Sequence, residues 1–329
     1  MSTEATPVRI ADTLTTASIA RRFYVQGRSK LEIAEEFGIS RFKVARILTA
    51  ARESGLVRIE FDLPAPIDLP LSDDVRAAYG LRRVLVLSRA RSKGERPELR
   101  RRIGELAADL LAEIVSEDDV VGLSWARSVN VMAESVRSLP RCPIVQLCGV
   151  QAGMDMRDRS VETVSRVAAV SGGDAYPIYG PLVLPDRRTT EILRSQPGIA
   201  ETFAQFRHLT KAVVSIGAWT EGQSTVYDAV GPAEREAIRQ RGATAEVAAR
   251  LFDADGNALS TGLAHHVLAI SQDQLRQVPE VIALGYTRPK AEAVDAVLRS
   301  GIVTTLITDA EVAELLLESA ARRPPTANR

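Results

Sequence analysis

The pattern of apolar and polar positions is clearest between residues 40 and 55. Apolar residues recur there at i, i+3, i+4 and i+7, the spacing of one buried stripe on an α-helix: Val44, Ile47, Leu48 and Ala51. The basic residues lie off this stripe: Arg41, Lys43, Arg46 and Arg52. Ser40 can accept a hydrogen bond from an early N–H group, and Gly55 can adopt the left-handed conformation that ends a helix. The pattern predicts an amphipathic helix with a cationic outer side.

A shorter helix is predicted just before it, over residues 30–37. Its apolar residues are expected to be buried: Leu31, Ile33, Ala34 and Phe37. Gly38 and Ile39 make a short turn into the next helix, and an earlier helix is predicted to begin near Leu14. Two helices joined by a short turn that contains glycine are typical of a DNA-binding helix-turn-helix, whose second helix enters the major groove. Residues 56–61 would add a β-wing.

Positive charge is concentrated in the same segment. Residues 18–58 contain nine Lys/Arg and four Asp/Glu, a net +5, whereas the whole chain balances 42 basic against 42 acidic residues. Such a concentration is typical of a module that binds phosphates. The residues expected at base edges are Arg41, Lys43 and Arg46, with Phe42 between them. Those expected at the DNA backbone are Ser29, Lys30, Ser40 and Arg58. The alternative is an ordinary helical subdomain with a solvated basic face.

A proline-rich segment, residues 63–71, predicts a semi-rigid linker between an N-terminal domain (1–62) and a larger C-terminal domain (72–329). In the larger domain a short helix ends at Gly80, and short apolar runs then alternate with amphipathic helices. The apolar runs are residues 84–87, 120–125, 144–150, 212–219, 281–286 and 304–309. The helices are predicted over residues 95–115, 128–138, 161–170, 289–298 and 311–320. Runs that are apolar throughout indicate a parallel sheet covered on both faces. The predicted fold class is α/β: a winged helix-turn-helix followed by a doubly wound, mostly parallel, Rossmann-like sheet.

Composition narrows the class of protein. The 329 residues are 45% hydrophobic and 26% charged, which is typical of a soluble globular protein. Nothing in the sequence resembles a signal peptide, and no apolar run is long enough to cross a bilayer, so we expect a cytoplasmic protein. Cys142 and Cys148 lie in or beside an apolar run and are expected to be reduced core residues. The histidines show no metal-ligand spacing with them, and we expect neither metal nor cofactor.

In a doubly wound sheet, ligands bind beyond the carboxyl ends of the strands. The segment from Gly122 to Ser128, GLSWARS, leaves a strand and opens a helix. Free N–H groups there, with Ser124, Arg127 and Ser128, could bind a phosphate or a cluster of sugar hydroxyls. The loop lacks the Gly-Lys-Ser/Thr ending of a Walker loop and is not a dinucleotide fingerprint. An ordinary strand-to-helix turn is the alternative.

Four further loops are predicted to end strands at the same edge and to share that pocket. They contribute Asp174 (residues 172–176), Gly217 (217–219), Gly285 and Lys290 (285–290), and Asp309 (308–309). Lys290 could reach an anion, or it could be a solvated surface lysine. Glu246 lies among apolar residues, where an unpaired carboxylate is costly. It therefore either accepts hydrogen bonds from ligand hydroxyls or pairs with an internal arginine. Residues 253–256 read as a hairpin turn.

Several of these segments together resemble a known family. Residues 33–61, IAEEFGISRFKVARILTAARESGLVRIEF, resemble the helix-turn-helix of the SorC family of bacterial transcriptional regulators. GLSWARS, VQLCG, GDAYPIYGPLVLP, GATAEVAARLFDADGN and KAEAVDAVLRSGIVTTLITD resemble successive blocks of that family's sugar-binding domain, so the resemblance spans residues 17–317. It implies a homo-oligomer, dimer or tetramer, that binds double-stranded operator DNA. It also implies that a sugar, polyol or sugar phosphate, bound in a domain similar to sugar-phosphate isomerases and glucosamine-phosphate deaminases, modulates the binding.

The resemblance also implies which residues contact the effector. These are Ser124, Trp125, Arg127 and Ser128 of the first loop, Gln146 and Gly149 of the VQL-x-G block, Glu246, and Lys290. The chain departs from the family pattern where Ala126 and Tyr286 replace glycines. A side chain in place of glycine restricts how closely the backbone can approach an anion. An unphosphorylated sugar or polyol is therefore an alternative to a sugar phosphate as the effector. We expect no enzyme activity. The alternatives are a sugar-phosphate isomerase or deaminase with an appended DNA-binding module, and a structural DNA-binding oligomer with a vestigial pocket.

Overall fold

The computed structural model of the protein describes residues 10–59, 66–89, 96–151 and 160–323. The chain divides into two compact units, Met1–Pro64 and Ala65–Arg329. Among the described helices, none is long and apolar enough to cross a membrane.

The first unit contains three helices: α1 (Ile10–Tyr24), α2 (Lys30–Phe37) and α3 (Arg41–Glu53). Their buried side chains form one small core: Ile19, Ala20, Ile33, Ala34, Val44 and Leu48. Ser29 and Glu32 cap the start of α2 reciprocally, and Gly38 ends it with a φ of 64°. Ser40 Oγ accepts a hydrogen bond from the Lys43 N–H at 3.2 Å, so it caps α3 as predicted.

Two details of the first unit differ from the sequence prediction. Leu31 was expected in the core, but 58% of it is exposed. With 100° of rotation per residue, Leu31 points away from the side of α2 that Ile33 and Phe37 share. Residues 56–59 form no strand, and the rest of the predicted β-wing, residues 60–61, lies outside the described residues.

The second unit is an α/β structure. Its helices are α4 (Leu69–Tyr79), α5 (Arg96–Ile114), α6 (Arg127–Ser135), α7 (Ser160–Ser171), α8 (Arg187–Arg194), α9 (Pro197–Gln205), α10 (Thr225–Ala229), α11 (Pro232–Gln240), α12 (Gln272–Gln277), α13 (Ala291–Arg299) and α14 (Ala310–Ala321). Its strands are β1 (Arg83–Leu87), β2 (Val121–Leu123), β3 (Ile144–Gln146), β4 (Ala175–Tyr176), β5 (Lys211–Ala218), β6 (Ala243–Val247), β7 (Arg250–Asp253), β8 (Glu280–Leu284) and β9 (Thr305–Asp309).

Helix α4 begins inside the segment predicted as a linker. Asp68 accepts a hydrogen bond from the Leu71 N–H at 3.2 Å and caps the helix. Pro70 lies in the first turn, where a missing N–H costs nothing. Gly80 ends the helix with a φ of 64°, as predicted. Residues 60–65, the earlier part of the predicted linker, lie outside the described residues.

The sheet has the strand order β1-β9-β8-β5-β2-β3-β4, and all neighbouring strands in this order are parallel. Strands β2, β3 and β4 follow one another outward in one direction, whereas β5, β8 and β9 follow one another in the other. The direction of winding therefore changes between β2 and β5. In open α/β sheets such a switch point leaves a crevice at the carboxyl ends of the two strands.

Helices cover both faces of the sheet, as predicted. Ala212 and Val214 of β5 belong to a core that includes side chains of α4, α13 and α14. Val213, between them, belongs to a second core with side chains of α5, α6 and α7. Alternate residues of one strand thus pack into opposite layers, which explains why the strands read as continuous apolar runs. Cys142 and Cys148 are buried and not joined in a disulfide, and burial raises the pKa of the Cys148 thiol to about 11.

Beyond the sheet, β5 continues into a separate ribbon. Ile216, Gly217 and Ala218 pair antiparallel with Val247, Glu246 and Ala245 of β6. Strand β6 in turn pairs with β7 as a hairpin. After β7, an antiparallel bridge between Phe252 and Ala258 closes the turn at residues 253–257, where the sequence predicts a hairpin turn. The ribbon stands over the carboxyl end of β5, next to the switch point.

Candidate functional site

A pocket lies at the carboxyl ends of β2 and β5. Its walls come from the β2–α6 loop, the end of β5, the loop before α10, the β6–β7 hairpin, the β8–α13 loop and one residue of α5. Polar residues from these segments line it: Arg100, Ser124, Arg127, Ser128, Ser215, Gln223, Ser224, Thr225, Glu246, Thr287 and Lys290. The switch point of the sheet and the pocket therefore coincide.

The N-terminus of α6 faces this pocket without a side-chain cap. Ala126 occupies the N-cap position in an extended conformation, and its methyl group makes no hydrogen bond to the helix. The first N–H groups of a helix carry partial positive charge and need partners from elsewhere. Ser128, in the first turn, is buried and lies 3.5 Å from Ser215, measured between the hydroxyl oxygens.

Three buried polar atoms around the pocket lack a protein partner. They are Ser124 Oγ, the indole Nε1 of Trp125 and the Nε of Arg100. Within the described part of the chain no hydrogen-bond partner reaches any of them. Unpaired buried polar groups are costly and uncommon in folded proteins, so these three atoms are available to form hydrogen bonds with a ligand in the cavity.

Glu246 supplies a buried carboxylate to the same pocket. Oε1 accepts a hydrogen bond from the Ser224 hydroxyl at 3.1 Å, and Oε2 accepts one from the Ala249 N–H at 3.2 Å. Burial raises the pKa of this carboxyl, while the two hydrogen bonds and the nearby Lys290 act to lower it. A side chain at Gly217 would collide with the carboxylate, so glycine is needed there. Lys290 Nζ donates to the Ile216 carbonyl at 2.8 Å, which fixes the ammonium group at the rim.

The backbone around the pocket is strained. Among the described residues, three non-glycine residues have positive φ: Ala248 at 48°, Ala249 at 62° and Thr287 at 73°. All three line the pocket. The two alanines form the tight turn of the β6–β7 hairpin and direct the Ala249 N–H to Glu246. Left-handed conformations cost free energy for residues with a Cβ, and they concentrate at functional sites.

The structure brings seven of the predicted effector residues to this pocket. They are Ser124, Trp125, Arg127, Ser128, Gly217, Glu246 and Lys290. Of the two interpretations of Glu246, pairing with an internal arginine does not occur among the described residues, because Ser224 and Ala249 are its hydrogen-bond partners. Lys290 is half-buried and bonded to a carbonyl, so it is not a fully solvated surface lysine.

Five other predicted residues lie nearby but have structural partners. A side chain at Gly122 would meet Leu147, one at Gly285 would meet Val294, and one at Gly149 would meet the backbone of residues 180–182. These glycines therefore serve close packing. Gln146 donates to the Cys148 carbonyl at 2.7 Å and accepts from the Ile178 N–H at 2.9 Å, and Asp309 caps α14.

The prediction that Asp174 shares this pocket is wrong. The segment Gly172-Gly-Asp174 precedes β4 instead of ending a strand. The Asp174 carbonyl accepts a hydrogen bond from the Ile144 N–H, at the start of β3. Because β3 and β4 are parallel, Asp174 and the start of β3 both lie at the amino edge of the sheet, whereas the pocket lies at the carboxyl edge.

Sequence reasoning missed six polar residues that line the pocket: Arg100, Ser215, Gln223, Ser224, Thr225 and Thr287. For Arg100 a signal existed, because it takes a place in the apolar stripe of α5 that includes Leu99, Ile103 and Ala107. A lone arginine on the buried side of a helix needs an explanation, and the pocket provides one. Within the described residues, no group of three or more His, Cys, Asp or Glu side chains is arranged to hold a metal ion.

The predicted DNA-contact residues lie in the first unit. Arg41, Lys43 and Arg46 are exposed on α3, and no carboxylate of the described residues lies within ion-pair distance of them. Arg58 is exposed after α3, and 83% of Phe42 is exposed. Ser29 and Ser40 are helix caps, and the Lys30 ammonium lies 5.6 Å from the centre of the Phe23 ring.

Comparison with known proteins agrees with this architecture. The family model Sugar-bind, described as "Putative sugar-binding domain", matches residues 67–318. The uncharacterized transcriptional regulator YjhU of Escherichia coli (strain K12) is 27% identical over 302 residues, which are 90% of this chain and 92% of that protein. The sorbitol operon regulator of Klebsiella pneumoniae is 26% identical over 307 residues, 91% of this chain and 96% of that protein.

A solved structure shows the same fold. The full-length sorbitol operon regulator SorC from Klebsiella pneumoniae aligns with a TM-score of 0.70 at 22% identity, over 93% of this chain and 99% of that one. The family match covers most of the chain, and the sequence resemblance stated above is confirmed. The chain belongs to the Sugar-bind family and is a transcriptional regulator of the SorC type.

Proposed function

We propose that this protein binds operator DNA through α3 and its flanking residues, and that a sugar, polyol or sugar phosphate in the pocket modulates that binding. One observation carries the proposal. Unpartnered buried donors, an uncapped helix N-terminus and a buried carboxylate converge on one cavity at the switch point of the sheet. The protein acts in this proposal as a binding protein and catalyses no reaction.

The chemistry of the pocket suits a molecule with many hydroxyl groups. A hydroxyl both donates and accepts hydrogen bonds, so it can donate to the Glu246 carboxylate and accept from Trp125 Nε1. Ser124 Oγ can do either. The cations Arg100, Arg127 and Lys290 add donors that would also bind a phosphate. The name of the sorbitol operon regulator, a relative over nearly the full length, supports a carbohydrate as the effector.

The effector test is a melting-temperature screen. Tetritols, pentitols, hexoses and their phosphates are added to the wild-type protein, and we expect at least one to raise its melting temperature. A ligand at about 100 times its Kd stabilises the folded state by about 2.7 kcal/mol. The same ligand should leave the melting temperature of Glu246→Gln almost unchanged, because the neutral amide is a weaker acceptor for hydroxyls.

The matched control is Glu236→Gln, which removes a carboxylate from the exposed side of α11. Its response to the ligand should equal that of the wild type. A full response in Glu246→Gln, or none from any compound in the wild type, would contradict the proposed site. Conversion of any phosphosugar in the same samples would favour the enzyme alternative.

The DNA-binding test selects duplexes from a random-sequence library with the full-length protein. An enriched sequence is expected, with two half-sites about one helical turn apart if the protein is a dimer or tetramer. Arg41→Ala and Lys43→Ala should each weaken binding to that sequence about ten-fold, since a lost base contact is worth about 1–3 kcal/mol. Arg21→Ala removes the same charge from an exposed position on α1 and should have a much smaller effect. Light scattering of the free protein checks the oligomer.

A ligand can change DNA affinity only by its differential affinity for two arrangements of the protein. The selected duplex is therefore titrated with and without the compound found in the melting screen. We expect the Kd for DNA to change in the wild type and to stay constant in Glu246→Gln. An unchanged Kd in the wild type, with the compound bound, would contradict the coupling of the two sites.

A further inference from the structure

Phe42 is the most exposed large apolar side chain of the described residues, at 83% exposure. It is the second residue of α3 and lies in the first turn of the helix, which Ser40 caps. Its aromatic ring is not part of the small core of the first unit, which is formed by other residues of α1, α2 and α3. Stability of the unit therefore does not explain a phenylalanine at this place.

The position of Phe42 on α3 is the centre of the outer face. With 100° of rotation per residue, Phe42 and Arg46 lie opposite the buried Val44, Leu48 and Ala51. Arg46 follows Phe42 by four residues, so the two side chains are neighbours along the helix. Both are exposed. If α3 enters a major groove, this is the face that meets the base edges.

The surroundings of Phe42 indicate what covers it. Arg41 and Lys43 flank it in sequence, Arg46 lies one turn away, and none of the three has a carboxylate within ion-pair distance among the described residues. An apolar protein surface laid on this face would have to desolvate three cations. A DNA groove instead offers phosphates to the cations and, at thymine, a methyl group to the ring.

We propose that Phe42 determines sequence specificity by contacting the 5-methyl group of a thymine, next to a guanine contacted by Arg46. The inference rests on the proposed function, which it extends from DNA binding in general to one base. Four residues of helix rise about 6 Å and a base step about 3.4 Å, so the two bases should lie one or two steps apart.

The test uses the duplex enriched from the random library. Each thymine is replaced singly by uracil, which removes only the 5-methyl group, and the Kd for each duplex is measured. For the wild type we expect one position in each half-site where uracil weakens binding about four-fold. This factor corresponds to the free energy gained by burying one methyl group. All other thymines should tolerate the change.

The variant Phe42→Ala should bind the parent duplex more weakly and should bind the uracil duplex with the same Kd as the parent. Phe42→Leu, which keeps an apolar side chain, should retain part of the discrimination. Arg46→Ala is the matched control. Its Kd should no longer depend on the guanine, whereas the uracil replacement should weaken its binding by the same factor as in the wild type. The side chain of Phe42 is exposed, so unchanged melting temperatures are expected for its variants.

The outcomes separate this inference from the proposed function. If no sequence is enriched, operator binding itself is contradicted, and the role of Phe42 with it. If a sequence is enriched but the wild type tolerates every uracil, the role of Phe42 alone is overturned. Equal sensitivity to uracil in the wild type and in Phe42→Ala overturns it as well.

Discussion

Two strand-to-helix turns at the same edge of the sheet differ in what binds the first N–H groups of the helix. After β9, Asp309 Oδ1 accepts hydrogen bonds from the N–H groups of Glu311 at 2.9 Å and Val312 at 3.2 Å. Its Oδ2 accepts the Thr287 N–H at 2.7 Å. After β2, Ala126 supplies no such group to α6. In the turn after β9, the N-cap side chain therefore binds the first N–H groups of the helix, and we call this the closed turn. In the turn after β2 the N-cap side chain binds none of them, and we call this the open turn.

The comparison shows why position alone does not make a binding site. Both turns lie at the carboxyl ends of parallel strands, and the sequence suggested both as effector sites. A carboxylate at the N-cap saturates the helix N-terminus and leaves little for an anion or a hydroxyl to bind. A small apolar N-cap residue leaves the same donors available. Asp309 thus supports the pocket indirectly, by holding the strained Thr287 in place.

The largest expected effect comes from opening the closed turn. Asp309→Ala removes the partner of three backbone N–H groups, and we expect the second unit to lose about 3 kcal/mol of stability. Urea unfolding followed by tryptophan fluorescence reports on this unit, because Trp125 and Trp219 are the only tryptophans of the chain. Asp309→Asn keeps one acceptor oxygen and should lose only about 1 kcal/mol. Wild-type stability of Asp309→Ala would remove the basis of the comparison.

The second effect comes from closing the open turn. Ala126→Asp places a carboxylate at the N-cap of α6, where Ala126 already has the extended conformation that a cap needs. We expect about 1 kcal/mol of added stability and, at the same time, loss of the melting-temperature response to the effector. A stabilising substitution that abolishes binding cannot act by unfolding the protein. Ala126→Ser is the milder control, and a full effector response in Ala126→Asp would show that the α6 N-terminus is not part of the site.

Local signals made much of the fold predictable from the sequence. Capping residues such as Ser40 and Gly38 act within one turn of helix, so the bounds of α2 and α3 follow from the sequence alone. Continuous apolar runs identified the parallel strands of the sheet except β4, and their shared carboxyl edge brought the loops of Ser124, Gly217 and Lys290 to one pocket. These inferences need no knowledge of distant contacts.

The remaining features depend on contacts that no local pattern contains. The turn at Ala248-Ala249 has no glycine or asparagine, so its left-handed conformation had no signal in the sequence. Asp174 was misplaced because β4 is two residues long and follows the glycine pair instead of preceding it. Gln146 and Asp309 are polar residues at the expected edge, but which partner each side chain binds is decided by tertiary structure.

The smallest expected effect is a dependence on pH, which should differ between the two buried carboxylates. Burial raises the pKa of both Glu246 and Asp309. A carboxyl whose pKa is raised on folding contributes stability that is fully present below its unfolded pKa, ordinarily near 4.5 for glutamate, and is lost as the pH rises through its folded pKa. Glu246→Gln lacks this loss, so its stability relative to the wild type should increase with pH across that range.

Effector binding should show the opposite dependence at Glu246 and none at Asp309. Hydroxyl groups that donate to Glu246 favour its ionised form, so the wild-type affinity for the effector should rise as the pH passes through the pKa of Glu246. Isothermal titration of a neutral polyol between pH 4.5 and 8 measures this dependence. The affinity should stay low at every pH in Glu246→Gln and should keep its wild-type dependence on pH in Asp309→Asn, because the hydrogen bonds of Asp309 among the described residues come from backbone N–H groups. The same pH dependence in all three proteins would mean that the effector does not contact Glu246, and that the open turn and the carboxylate do not form one site.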